Sequence, residues 1–315
     1  MSTFWDAFKR LQKPLQWLTV VVIFAFIGQR LHQDWHQLSQ YKFQFQYSLL
    51  LLSFLVLLCR LFSLALGWKL ILQKSSGYSL SYLRANRIWF LSQLGKYAPG
   101  KVWMVLGRIY LSQKESISKR VSSVSIVIEM ILSVISSTII FLLSLVLKSK
   151  AKFENDILFS SLIVVAGVIA LHPNLLKKFS NFFLVRLKRE PLELEIRYHE
   201  ILLLLTYYLA MWAFFGLAFY LFINSITSVP ISKLLIMTGI FAVSWIIGFL
   251  ALFAPGGLGV REGILAFFLS FYFPASVAIM LSLLSRLWIT AAEISGIGIS
   301  LILSKTLIER KRALR

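Results

Sequence analysis

Residues 253–264 read FAPGGLGVREGI. A proline, four glycines, an arginine and a glutamate stand here between two apolar runs, LLIMTGIFAVSWIIGFLAL (234–252) and LAFFLSFYF (265–273). Pro-Gly stops a helix, because proline has no N–H and glycine tolerates backbone turns closed to other residues. Inside a bilayer the freed N–H and C=O groups are tolerated only where they face protein or a wet cavity. The stretch therefore marks either a helix break that builds a site or a proline-kinked helix packed through small residues. On the second reading, Gly259 and Gly263 form a GxxxG pair.

The stretch has a partner. Residues 94–108 read LGKYAPGKVWMVLGR. A shift of 156 residues carries Trp89, Leu94, Ala98, Pro99, Gly100 and Gly107 onto Trp245, Leu250, Ala254, Pro255, Gly256 and Gly263, and Tyr97 onto Phe253. Both copies place an aromatic-Ala-Pro-Gly element in the middle of an apolar segment. The constant offset reads as an internal repeat, with the helix-break motifs Pro99, Gly100, Pro255, Gly256, Gly257 and Gly259. If the two breaks meet near the bilayer midplane, half-helix N-termini starting at Lys101 and at Gly257 present positive ends to an anion.

Composition sets the class. The chain has 315 residues, 58% hydrophobic and 15% charged, far more apolar than a soluble domain of this size. Runs able to cross about 30 Å of hydrocarbon are read at 15–31, 47–68, 84–111, 121–147, 157–172, 200–223, 234–272 and 275–304, the third and seventh being broken; the run 234–253 is long enough to span alone, so 234–253 and 257–272 read alternatively as two full helices. The expected fold is all-α, a polytopic membrane helix bundle of six to eight spans forming one integral membrane domain over 1–315. Its halves, 15–172 and 200–304, are joined by the basic segment 173–199. Cys59, the single cysteine, permits no intramolecular disulfide and reads as a small helix filler. No metal or cofactor site is expected.

The formal charge of +20 would suggest nucleic acid in a soluble protein. In a membrane protein it is better read as the positive-inside bias, and no nucleic-acid partner is expected. With the N-terminus inside and each broken segment returning to its own side, the inside segments hold 21 Lys/Arg against six outside. Both termini are then cytoplasmic, and the two broken segments enter from opposite faces. That is an inverted repeat, an arrangement common in secondary transporters. The segment 173–199 reads either as an amphipathic helix on the anionic inner leaflet or as a solvated basic loop.

Ionisable groups at membrane depth usually mark a pathway or pair with one another. The sequence places Arg60, Lys96, Lys101, Arg108, Arg261 and Arg286 there, with Glu129, Glu262 and Glu293. Six positive charges against three negative suit a phosphate-bearing substrate, which arginine binds bidentately. Lys96 and Arg108 are expected instead to snorkel to the inner interface. The substrate-binding candidates are Arg60, Lys101, Arg261, Glu262, Arg286 and Glu293. Arg286 and Glu293, seven residues apart, share a helix face and read as a pair or as partners of Arg60 or Glu262. Catalysis is not expected: Asp6, Asp34 and Asp156 lie outside the spans, and no diphosphate, zinc-protease or serine-hydrolase motif is present. The rival readings are a membrane-embedded glycosyl- or phospholipid-modifying transferase, which would rest on Glu129, Glu262 or Glu293, and a non-transporting accessory subunit of such an enzyme.

The motifs LGKYAPGKVW and APGGLGVREG resemble the family named after the transmembrane half of lysylphosphatidylglycerol synthase. The likeness runs over roughly 10–305. It implies a membrane domain that moves a lipid between leaflets, with a phospholipid or a polyprenyl-linked lipid as substrate and a synthase or glycosyltransferase as possible partner. Only a short basic tail follows Lys305, so the resemblance implies the stand-alone form without the cytoplasmic synthase domain. Pro99, Gly100, Pro255, Gly256, Gly257, Gly259, Arg261 and Glu262 match the motifs directly. Arg60 and Arg286 rest on burial alone.

Overall fold

The computed structural model describes residues 43–98, 102–148, 171–186, 196–251 and 254–313, with residues 28, 29, 39, 41 and 169. The regular elements among them are all helical, the form in which a spanning segment satisfies its own backbone. They are α1 (Tyr47–Ser76), α2 (Tyr82–Gln93), α3 (Val102–Gln113), α4 (Lys119–Lys148), α5 (Pro173–Arg186), α6 (Tyr198–Asn224), α7 (Leu234–Leu250), α8 (Val260–Leu269) and α9 (Ala275–Ala313). Short 3-10 turns lie at Leu94–Tyr97, Ile231–Lys233 and Pro255–Gly257. Five segments are long and apolar enough to cross a membrane: Tyr47–Ser76, Lys119–Val146, Tyr198–Asn224, Ile231–Leu250 and Ala275–Ser304. The expected spans at 15–31 and 157–172 fall almost entirely outside the described residues, and so do Pro99, Gly100 and Lys101.

Both broken segments turn back on themselves. Helices α2 and α3 have 12 residues each, about 18 Å of helix, too short to span. They pack on each other across the turn. A Cβ on Gly95 would sit 2.5 Å from the carbonyl carbon of Trp103. Helices α7 and α8 pack likewise, with Gly248 against Arg261. The second segment is asymmetric: the run Ile231–Leu250 is long enough to span, and only the ten-residue α8 is half-length. Residue 263 does not behave as one half of a GxxxG contact, since a Cβ there would meet nothing within 4 Å.

The helices meet in matching pairs. Helix α1 lies along α6; α2 packs on α9 and α7 on α4; α3 packs on α4 and α8 on α9; and the two break turns touch. Small residues permit the closest of these approaches. A Cβ on Gly239 would be 1.9 Å from Ser144 Oγ, and one on Gly296 would be 2.3 Å from Phe90 Cε1. Between α6, α7 and α9 runs a column of buried rings. Phe215 and Phe241 have centroids 4.1 Å apart, Phe219 and Phe241 4.9 Å, and Phe222 and Trp288 4.9 Å. Tilted and offset pairs of this kind are favoured by the ring quadrupoles. Cys59, expected as a filler, is exposed on α1.

The second break is held by glycine geometry. Gly256 and Gly257 have φ of +57° and +72°, the left-handed region closed to most residues. A Cβ on Gly257 would also lie 2.9 Å from the carbonyl oxygen of Gly248. Gly257→Ala is therefore expected to cost at least about 1–2 kcal/mol and to lower the thermal midpoint of the detergent-purified protein. Gly263→Ala, in helix with open space around it, is expected to leave that midpoint unchanged or raise it.

Candidate functional site

The first break turn carries Lys96 and Tyr97, and the second is Pro255–Gly257. They touch: a Cβ on Gly256 would be 3.4 Å from the Lys96 carbonyl oxygen and 3.8 Å from Tyr97 Cδ1. Helix α9 crosses both turns and presents Arg286, Thr290 and Glu293 at helical spacing on one face. Glu293 Oε1 pairs with the Lys96 ammonium, and Glu293 Oε2 accepts the Tyr97 hydroxyl at 2.7 Å. Arg286 Nη1 donates to the Gly256 carbonyl at 3.3 Å and lies 3.6 Å from Glu262 Oε1. Its guanidinium stands 5.6 Å from the Tyr97 ring centre. One helix thus supplies the first turn with a carboxylate and the second with a guanidinium. The guanidinium satisfies a carbonyl that the broken helix leaves free.

Glu262 is buried. Its Oε2 accepts the Gly259 N–H at 2.6 Å, and its backbone carbonyl takes the Ser282 hydroxyl at 2.7 Å. This corrects the expectation of a half-helix N-terminus open from Gly257. Helix α8 begins at Val260, and its own carboxylate closes that end, as negative groups at helix N-termini do. Arg286 pairs with Glu262, and Glu293 pairs elsewhere, so the two are not partners of each other.

Arg261 and Arg60 are the less engaged cations. The Arg261 guanidinium lies 4.5 Å from the centre of the Phe241 ring. Among the described residues no oxygen hydrogen-bonds it. Arg60 Nε donates to the Met211 carbonyl at 3.1 Å, and its guanidinium lies 4.8 Å from the Phe215 ring centre and 5.5 Å from that of Trp212. Phe215 and Phe241 are in tilted contact, so the two guanidiniums lie against adjoining rings of one aromatic column. The chain brings Arg60, Arg261, Glu262, Arg286 and Glu293 into one electrostatic neighbourhood. Lys101, Pro99 and Gly100 lie outside the described residues.

Lys96 and Arg108 depart from the sequence expectation. Lys96 does not snorkel; it ties the first break to α9. Arg108 is among the most buried side chains, at 1% exposure, and pairs with Glu129 on α4. Its Nε donates to Ser92 Oγ at 3.1 Å, and its guanidinium lies 5.3 Å from the Trp68 ring and 5.8 Å from the Trp89 ring. Trp89 Nε1 donates to Glu129 Oε1 at 2.9 Å. The stub helix α3 faces protein here, so its arginine has a carboxylate to meet and no interface to reach. Tyr97 was missed as a site residue, although its alignment with Phe253 marked it.

A bundle of spanning helices with broken segments and buried charge is a multi-pass membrane protein. The chain matches the family described as lysylphosphatidylglycerol synthase TM region over residues 15–292, and it belongs to that family. No curated protein and no solved structure shows a significant match to it.

The Arg108–Glu129 pair is buried and self-contained, which makes a stability prediction possible. Removing one partner of such a pair costs about 3–5 kcal/mol, while replacing both with apolar groups is often near neutral. Glu129→Leu is expected to lower the thermal midpoint sharply, and Arg108→Met combined with Glu129→Leu to recover most of the loss. A double-mutant cycle on the purified protein checks this.

Proposed function

We propose that this protein moves a phosphate-bearing lipid between the leaflets of the cell membrane, and that the charged cluster at the two breaks receives the head group. One observation carries the reading: Arg261, beside Glu262 at the second break, has no hydrogen-bonding oxygen among the described residues and lies on an aromatic face. A guanidinium held at membrane depth without a carboxylate is costly, and an anionic ligand removes that cost. The family is associated with lipid handling, which fits an anionic or lipid-linked substrate.

The halves are read as an inverted repeat. Helices α1 to α4 correspond in order to α6 to α9, and the packing of α2 on α9 matches that of α7 on α4. The excess of Lys and Arg in alternate connections puts both termini on the cytoplasmic side. The break turns would then enter from opposite faces and meet between them. Rocking of one half against the other would expose the shared site to each side in turn. Helix α5 carries Lys177 and Lys178 with the exposed Leu175, Phe182 and Val185. That combination suits an anionic inner leaflet.

Transport rather than chemistry is proposed because Glu262 and Glu293 are both engaged in holding the breaks. Proteoliposomes with labelled anionic lipid test the reading. Wild type is expected to move the lipid, and Arg261→Ala to lose the activity while still eluting as folded protein. Full transport by a folded Arg261→Ala variant would sink the proposal. Loss of lipid turnover, with transport retained, in a Glu262→Gln or Glu293→Gln variant would favour the transferase instead.

A further inference from the structure

The cluster can be balanced charge by charge. Arg108 and Glu129 neutralise each other apart from it. That leaves Arg60, Lys96, Arg261 and Arg286 against Glu262 and Glu293. Both carboxylates are fully engaged: Glu293 by Lys96 and the Tyr97 hydroxyl, Glu262 by the Gly259 N–H and Arg286. Two guanidiniums, Arg60 and Arg261, remain without an ion-pair contact among the described residues. Lys101, the depth charge outside those residues, is itself positive. Arg286 adds a further donor: its Nη2 is buried with no hydrogen-bond partner.

We infer that the site selects a lipid whose head group ends in a dianionic phosphate, a phosphomonoester or a diphosphate, over a monoanionic phosphodiester or an aminoacylated, net-cationic lipid. This rests on the reading that the cluster binds a lipid phosphate. A phosphodiester carries one negative charge and leaves one half-buried guanidinium uncompensated, in surroundings where an unpaired charge is costly. A phosphomonoester carries about −1.5 to −2 at neutral pH and offers three acceptor oxygens. Two guanidiniums on adjoining rings can each give it paired N–H donors. An ammonium-bearing head group meets the opposite situation. The carboxylates are taken, and guanidiniums already cover the faces of Phe215 and Phe241 that would otherwise attract a cation. Uncompensated positive charge then acts against it.

Binding separates this inference from the transport reading. The full chain in detergent is titrated with short-chain phosphatidic acid, phosphatidylglycerol and lysylphosphatidylglycerol, and with inorganic phosphate, following the shift in thermal midpoint. Phosphatidic acid is expected to bind at least about tenfold more tightly than phosphatidylglycerol, a gap of one decade in affinity, with no saturable binding of lysylphosphatidylglycerol. Inorganic phosphate is expected to bind more weakly than phosphatidic acid. Arg60→Gln and Arg261→Gln should each bring phosphatidic acid down to the phosphatidylglycerol level, while Lys177→Gln with Lys178→Gln changes nothing. Equal or tighter binding of phosphatidylglycerol overturns the dianion preference and leaves the lipid-transport reading intact. Saturable binding of lysylphosphatidylglycerol also overturns the preference. Inorganic phosphate binding as tightly as phosphatidic acid overturns the lipid assignment, and no saturable anion binding at all overturns both. The comparison among ligands uses wild-type protein, so it holds whether or not the variants fold.

Discussion

A backbone that leaves the helix inside hydrocarbon has no water to receive its N–H and C=O groups. This chain leaves the helix twice between apolar runs, and the structure brings the two breaks together. Each turn covers the other, and α9 crosses the pair. Arg286 reaches the freed Gly256 carbonyl, and Glu293 takes the Lys96 ammonium and the Tyr97 hydroxyl. The charged groups are thus part of the device that permits the breaks, and the packing of the bundle follows from the need to bury them. The glycines of the second turn are fixed by the same requirement, because Gly257 lies against the Gly248 carbonyl and Gly256 against Arg286.

Two kinds of buried charge result, and they differ in what they can do. The Arg108–Glu129 pair is closed: the guanidinium has its carboxylate and Ser92, and the carboxylate has the Trp89 indole. Such a pair fixes the geometry of α3 on α4 and leaves little for a ligand to gain. The cluster at the breaks is open, because its carboxylates hold the turns together and leave Arg60 and Arg261 to the aromatic column. An interior with surplus cation is poised for an anion. The rings beneath the guanidiniums shield them in part from solvent, which strengthens their attraction to any anion that arrives.

Much of this was legible in the sequence. The aromatic-Ala-Pro-Gly pair at a constant offset pointed to two breaks, and Arg60, Arg261, Glu262, Arg286 and Glu293 were singled out and lie together. Periodicity and hydropathy carry such features because they concern each segment by itself. What escaped concerns which segment faces which. Lys96 and Arg108 looked close enough to the inner interface to snorkel, since sequence distance from the segment end measures depth only if the helix is straight. The hairpin formed by α2 and α3 turns that distance inward. Glu262 looked available to a substrate, yet its position three residues after Gly259 makes it the natural acceptor for that N–H. The asymmetry between α7 and α2, by contrast, was legible, because the run 234–253 is long enough to cross a bilayer alone and Ile231–Leu250 is such a segment.

The meeting of the breaks through α9 is the claim on which the rest depends, and a charge exchange between Lys96 and Glu293 tests it most directly. Lys96→Glu and Glu293→Lys alone each place like charges side by side in a half-buried site. The account predicts that each single variant loses folded yield and thermal midpoint, and that the double exchange restores both toward wild type by re-forming the pair in reverse. A double variant no more stable than the worse single would show that Lys96 and Glu293 do not face each other, and the joined-break site would fall with that contact.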